Sequence, residues 1–570
     1  MKKRLFATMM IPVMMCSTMA MTGMTAASET TDSVNGVTFP LEEPLTLDVF
    51  VYASNSGGNT MQDNYVTDWI EEQTNIHLNF VYDVDGDEAK TKLNLIMTDP
   101  DSLPDILWTT FWTKSELMLY AEQGLIQPLD DYLEDATNWN AYNELIEGRK
   151  EDLTMKDGHI YTFGSAAESF HNTYQNRMWI YMPWVEQLND GHIPETTKEL
   201  YEYLTKVATE DPNGNGIADE IPVTGYLGGW STDPTVWFMN AFVQCNNPLS
   251  NTNPTVGAGF SVNDGVLEYA PLKEEYREGI RYLAKLYREG LIDQQLFTQD
   301  STQFAATLNN ETPLVAMHAA GRNQADKTDF DARRDGTWSD WQCIEPVEGP
   351  DGVRLAAREY MGQFGNCTGM ITTNCECPEI VVALFDFLLS HDATLTQGYG
   401  PQGYGWDYVD SGVGVNGEPA SYTTYAFKAE EFDWTGNGFS KSYDKSSWSS
   451  DACISGFDTE FKSSILVEDP AKNLEYILYH AAKTYEQYAP SIDSILPNLT
   501  MDTESAQKVS EYTVTIGGYV NQAAVQFITG AMDIETEWDS YLNSLQNMGV
   551  EDYIATYQQA YDLQSAATAE

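Results

Sequence analysis

The chain is short of positive charge. Its 570 residues include 30 Lys and Arg against 86 Asp and Glu, a formal net charge of −56. Such a surface repels the phosphates of DNA and RNA, which excludes nucleic acid as a partner. It suits an extracellular protein that needs solubility and meets divalent cations outside the cell, although it names no ligand. Cysteine is also scarce, 7 in all. Beyond Cys16 the thiols stand at Cys245, Cys343, Cys367, Cys375, Cys377 and Cys453, and they read as free or partly paired. Cys375-Glu-Cys377 lacks the Cys-x2–4-Cys spacing of a zinc site. No P-loop, nucleophile elbow or zinc-protease helix is present, and no repeat of about 20–50 residues recurs. Past the N-terminus, no stretch reaches the roughly 20 apolar residues that a membrane span needs.

What is present is a foldable composition. With 42% hydrophobic and 12% aromatic residues the chain can bury a large core despite its charge. A chain of this length divides into two or more lobes. Residues 1–27 read as an export signal: Lys2, Lys3 and Arg4, an apolar stretch from Leu5 to Met15, then Thr25-Ala26-Ala27 for cleavage. Cys16 offers a second outcome, a lipid-modified mature N-terminus, although Met15 departs from the small residue usual before such a cysteine.

From Pro44 onward strand and helix patterns alternate. Leu45–Tyr52 and Ile76–Tyr82 carry the period-two alternation of strands, with a helical segment around Tyr65–Thr74 between them. Lys90–Met97 reads as a helix and Leu103–Trp108 as a short buried strand. This alternation predicts βαβ units and a mostly parallel sheet. Thr196-x-x-Glu199 is a capping box opening a helix over Thr197–Thr209. Further helices are expected over Lys273–Glu289, ending at Gly290, over Pro378–Ser390, and from Lys472 to the C-terminus. The glycine-rich Gly398–Trp406 reads as irregular, and 411–455 as a loop insertion.

The stretch Asp211-Pro-Asn-Gly-Asn-Gly-Ile-Ala-Asp-Glu-Ile-Pro222 carries oxygen ligands at near-alternate positions. Asp211, Asn213, Asn215 and Asp219 occupy positions 1, 3, 5 and 9 of an EF-hand-like loop, and Ile217 offers its backbone oxygen at position 7. Pro222 cannot serve as the twelfth-position ligand, so Glu220 closes a shorter loop. The spacing points to a structural Ca²⁺; the alternative is a polar turn that needs no metal.

An ordered set of motifs resembles one family. Leu103-Pro-Asp-Ile-Leu-Trp108, Ala121-Glu-Gln-Gly-Leu-Ile-Gln-Pro-Leu129, the Asp211–Pro222 loop and Leu286-Tyr-Arg-Glu-Gly-Leu-Ile-Asp293 come first. Asp386-Phe-Leu-Leu-Ser390, Gly398–Trp406, Phe527-Ile-Thr-Gly530 and Gln558-Gln-Ala-Tyr561 follow. Together they resemble the extracellular solute-binding proteins of bacterial ABC sugar importers, in the aldouronate- or oligosaccharide-binding lipoprotein group, near the alginate-oligosaccharide binders. The resemblance runs from about Pro40 to Gln564.

It implies an α/β, two-lobe, type II periplasmic-binding-protein-like fold with several hinge crossings. The lobes are then expected at 40–164 with 359–410, and at 165–358 with a helical C-terminal part at 456–570. It also implies a calcium loop at 211–220, permease subunits as partners, a monomer, and residence on the outer side of the cell membrane. Sugar sites need flat apolar surface and planar hydrogen-bonding groups near the C-terminal ends of strands. By that rule the candidate ligand-binding residues are Trp108, Tyr174, Arg177, Trp179, Trp230, Arg322, Tyr360 and Trp406. Each could instead be an ordinary core residue. No catalytic residue is expected. A secreted glycoside hydrolase or lyase is the competing reading, but among 86 acidic residues carboxylate pairs arise by chance and carry no weight.

Overall fold

The computed structural model describes residues 33–52, 60–84, 86–109, 112, 114–146, 148–164, 170–245, 258–323, 340–359, 368–425, 432–443, 448, 454–456, 459–497, 499 and 501–569. The export signal, Cys16, Cys367 and Cys453, and Tyr360 among the candidate site residues, lie outside them.

Two four-stranded sheets organise two α/β lobes. In the first, β1 (Leu45–Tyr52) pairs in parallel with β2 (Ile76–Val84) and β3 (Ile106–Trp108). Alternation in β1 sends Leu47, Val49 and Val51 to one core, where they meet Ile70 of the helix Tyr65–Thr74 and Phe385 of the helix Pro378–Leu388. Asn64 caps the first of these helices by accepting Val66 N–H at 3.1 Å. Phe50, on the opposite face of β1, packs with Leu93 and Leu107.

The second sheet has the order β5-β8-β4-β9, from Ile221–Thr224, Val315–Ala319, Met178–Tyr181 and Trp341–Ile344. Its core gathers Leu200, Tyr203, Leu204 and Val207 of the helix Thr197–Thr209 with Ile280, Leu283 and Leu286 of Glu274–Arg288. The C-terminal helices contribute Phe527, Trp538, Tyr541 and Leu545 to the same core. Thr196 caps Thr197–Thr209 by accepting Glu199 N–H at 3.1 Å. The Glu199 carboxylate accepts from Glu195 N–H at 2.9 Å, one residue before the cap.

Two of the connections between the lobes, as far as they are described, run side by side. Leaving the first lobe, Phe163 and Gly164 donate N–H bonds to Gly369 and Thr368 of the returning segment, both at 3.0 Å. At the second lobe, Glu359 N–H bonds Thr173 O at 2.9 Å. A short strand, β10 (Met370–Ile371), then adds to β3 antiparallel.

The region after Ser390 differs from expectation. Gly398 lies inside a helix, His391–Tyr399, capped by Ser390 and ended by Gly400 at φ 84°. Trp406–Tyr408 then forms β11, paired with Tyr422–Thr424 (β12) from the stretch read as a loop insertion. A small core of Leu395, Trp406, Val415, Tyr422, Phe461 and Ile465 holds these parts together. Glycine density therefore marks the turn Gly400–Gly405 and not the whole stretch. A Cβ at Gly405 would lie 1.7 Å from Tyr399 O, which explains the residue there. Among the described residues, no helix is long and apolar enough to cross a membrane, and Cys245, Cys343, Cys375 and Cys377 are free thiols.

Candidate functional site

Strand direction decides which ends meet. β5 and β8 run parallel, and β4 runs antiparallel to β8 with Met178 opposite Ala319. The residues after β5, those after β8 and those before β4 therefore share one edge of the second sheet. That edge carries Trp230, Gly321-Arg322-Asn323, and His171 to Arg177. In the first sheet the C-terminal ends of β1, β2 and β3 share an edge at Trp108, where Phe163, Gly164, Thr368 and Gly369 also lie. The linking segments thus join the C-terminal strand edges, where open α/β sheets bind ligands.

Among the described residues Trp230 is an exposed aromatic at this junction, with 39% of its surface accessible. Its ring lies against Gly321, where a Cβ would come within 2.5 Å of the indole. Its N–H donates to Gln175 Oε1, its carbonyl accepts Gly321 N–H at 2.9 Å, and the His171 ring stands 6.2 Å away. Arg322 follows Gly321 directly and is half-buried.

Arg177 sits beneath this surface, fully buried. Its two terminal nitrogens donate to the carbonyls of Gly321 and His171, so the guanidinium staples the strand ends together. Burial lowers its pKa to about 10 and leaves it charged at neutral pH. His171 Nδ1 pairs at 2.8 Å with Glu475 of the helix Leu474–Glu486. Burial pushes the Glu475 carboxyl up, but His171, Lys462 and Arg177 together bring it well below the usual carboxylate range. The site floor therefore holds an ionised carboxylate with Lys462 and Arg177 as its nearby cations, while burial lowers the pKa of His171 itself.

Of the remaining candidates, Trp108, Tyr174, Trp179 and Trp406 are buried. Trp108 is fully buried against Phe385 and Trp448, with ring centroids at 5.9 and 5.5 Å. Trp179 donates its N–H to Ala320 O at 3.0 Å and packs on Leu478 and Ala481. Tyr174 is buried beside Phe170 at 5.5 Å. Trp406 is enclosed in the small core and donates to Gly400 O at 3.0 Å. In this structure these rings are enclosed by other side chains and present no face to a ligand. Tyr174, Arg177 and Trp179 nonetheless lie at the same sheet edge as Trp230 and support it. Gln175, Glu359 and Glu475 escaped the sequence reading. A polar residue carries no periodic pattern, and Glu475 meets His171 across 304 positions (475 − 171).

The Asp211–Glu220 loop follows the helix Thr197–Thr209. Gly214 and Gly216 take positive φ values of 71° and 78°, which lets the loop curl inward. Asp211 accepts the N–H groups of Asn215 and Gly216, while Asn213 and Asn215 donate Nδ2 to Asp219 at 3.0–3.1 Å. Glu220 Oε1 is buried without a hydrogen-bond partner, a cost that a cation would remove. Among the described residues no three His, Cys, Asp or Glu side chains gather as a metal cluster. The loop's donor set is instead mixed carboxylate, amide and carbonyl oxygen, which fits a hard cation. Asn213 and Asn215 would have to present Oδ1 rather than Nδ2 to ligate.

Fold and site together define a two-lobe α/β binder with its exposed aromatic at the lobe junction. Residues 52–395 match the bacterial extracellular solute-binding protein family, and the chain belongs to it. The fructooligosaccharide ABC transporter substrate-binding protein FusA of Streptococcus pneumoniae is 24% identical over 546 residues, 94% of each chain. Its structure in complex with kestose superposes with a TM-score of 0.69 at 20% identity, covering 92% of this chain and all of that one. An extracellular solute-binding protein of Bifidobacterium longum subsp. infantis gives 0.71 at 19% identity, covering 91% and 98%. The alginate-binding protein AlgQ2, solved without calcium ion, gives 0.59 at 18% identity, covering 92% and 99%.

Proposed function

We propose that this protein is the extracellular capture component of an ABC importer, binding an oligosaccharide between its lobes and passing it unchanged to membrane permease subunits. The observation that carries this reading is the Trp230 indole, exposed over Gly321 at the strand edge where the lobes join. A flat ring beside a half-buried Arg322 suits the C–H face and the hydroxyls of a sugar. The fructooligosaccharide-binding relative, aligned along nearly the whole chain, supports the class of ligand and the importer.

The sugar is neutral. Arg177, the buried guanidinium of the site, is fully enclosed with both terminal nitrogens on backbone carbonyls, and offers no exposed edge to a uronate. The fructooligosaccharide named for the relative aligned along nearly the whole chain is a neutral sugar. Calcium, held by Asp211, Asn213, Asn215, Ile217 O, Asp219 and Glu220, ties the loop after Thr197–Thr209 and takes no part in sugar binding. Export through residues 1–27 places the protein outside the membrane, as a monomer. Mass spectrometry of the mature N-terminus distinguishes a lipid on Cys16 from cleavage after Ala27.

A thermal-shift and calorimetric screen with kestose, longer fructans, neutral gluco- and galacto-oligosaccharides and alginate oligosaccharides tests the reading. A bound sugar at one hundred times Kd stabilises the fold by about 2.7 kcal/mol. Binding of a neutral sugar, recovered intact, is the expected result. Release of shorter sugars would make the protein an enzyme instead.

A further inference from the structure

We propose that Glu359 is a positioning residue for sugar binding, acting through Gln175 on the indole of Trp230. The inference rests on the reading of Trp230 as the platform. A half-exposed indole lying on a glycine is not fixed by packing alone, so its orientation depends on its one polar group. That group, Nε1–H, donates to Gln175 Oε1. A glutamine amide has one acceptor end and one donor end. With the indole on Oε1, the Gln175 Nε2 must find an acceptor, and it bonds the Glu359 carboxylate. A carboxyl oxygen of Glu359 accepts this N–H, and the contact favours the Gln175 amide orientation that receives the indole N–H.

Glu359 is itself well anchored. Its carboxylate accepts Asn176 Nδ2 at 2.7 Å, and its N–H bonds Thr173 O at 2.9 Å. Both partners belong to the outgoing segment, while Glu359 ends the described part of the returning one. The orientation of the platform therefore depends on a residue of the inter-lobe connection as well as on the strand end that carries Trp230. Burial raises the Glu359 carboxyl above the usual range, in keeping with amide partners in place of a cation. A prepared ring spares the ligand part of the ordering cost of binding.

The first measurement needs no sugar. In ¹⁵N-labelled protein the Trp230 indole resonance is assigned by its loss in Trp230→Phe, and its exchange with solvent is timed. Glu359→Ala is expected to speed that exchange about tenfold, as loss of one hydrogen bond does. Glu359→Gln, which retains an acceptor oxygen, restores most of the protection. Glu359→Met, similar in length without an acceptor oxygen, serves if Glu359→Ala does not fold, and Gln175→Met, which removes the indole's acceptor itself, sets the full size of the effect. The second measurement is a kestose titration. Glu359→Ala weakens binding about tenfold in the natural background and has no further effect in Trp230→Ala, the non-additivity of residues acting as one unit. Unchanged indole exchange in a folded Glu359→Ala or Glu359→Met overturns the proposal. So does an equal affinity loss in the Trp230→Ala background. If kestose does not bind the natural protein, the choice of sugar fails while the indole exchange still decides the role of Glu359.

Discussion

Trp108 ends a strand of the first lobe, and Trp230 follows a strand of the second, both at the edge where the lobes join. The first is fully buried and the second 39% exposed. Strand position alone therefore does not make a sugar platform; what lies around the ring does. Trp108 is closed in by Phe385 from the helix Pro378–Leu388 and by Trp448, whereas the Trp230 ring rests against Gly321. One tryptophan was given neighbours and became core. The other was given a glycine and kept a face.

Substitution should separate the two most sharply. Trp108→Ala is expected to lose about 3–5 kcal/mol of stability, the cost of emptying a large core site. Trp230→Ala should leave the melting temperature nearly unchanged and weaken sugar binding about thirtyfold or more, as loss of a hot-spot aromatic does. Denaturant titration and calorimetry on both variants check this, and equal behaviour of the two would break the comparison.

Calcium should distinguish the lobes next. The Asp211–Glu220 loop belongs to the lobe of Trp230, so a chelator should lower the stability of that lobe by about 2–3 kcal/mol if the ion is present near one hundred times its Kd. Asp211→Ala should remove the sensitivity. Melting unaffected by chelator would leave the loop a polar turn.

A smaller effect tests the glycine. In Gly321→Ala the added methyl would meet the indole, whose nearest atoms lie at 2.5 Å. Because the ring is half-exposed it can swing away, so sugar affinity should fall about tenfold while stability moves by about 1 kcal/mol or less. An unchanged affinity would mean that the ring's seat on Gly321 is irrelevant to binding.

The smallest effect is acidic. Glu475 sits well below the usual carboxylate range because of His171, Lys462 and Arg177, so its ionised form contributes stability above about pH 4.5 that is lost as the pH falls through its lower folded value. Glu475→Gln should flatten that acid limb by about 1–2 kcal/mol and lower stability at neutral pH. A pH profile identical to the natural protein would remove the pair from the account.

Much of the fold was legible because periodic patterns report local structure. Leu45–Tyr52 alternates and is a strand, and Thr196 with Glu199 marks the start of Thr197–Thr209. The Gly398–Trp406 stretch was misread because Ser390 caps a helix that tolerates Gly398 in its last turn. The site was legible only as a set of candidates. Whether Trp108, Trp179, Trp230 or Trp406 keeps a free face depends on Trp448, Leu478, Gly321 and Tyr422, which the sequence places tens to hundreds of positions away. Polar partners such as Gln175 and Glu475 leave no periodic trace at all.

The account stands or falls on Trp230 as the face that meets the sugar. Calorimetric titration of kestose and the other neutral oligosaccharides into the natural protein and Trp230→Ala, with the sugar analysed afterwards, measures this directly. The account predicts saturable binding of at least one neutral oligosaccharide, recovered intact, and a loss of about thirtyfold or more in a variant that still melts as the natural protein does. Binding that survives Trp230→Ala undiminished, or no binding across the series, would contradict it.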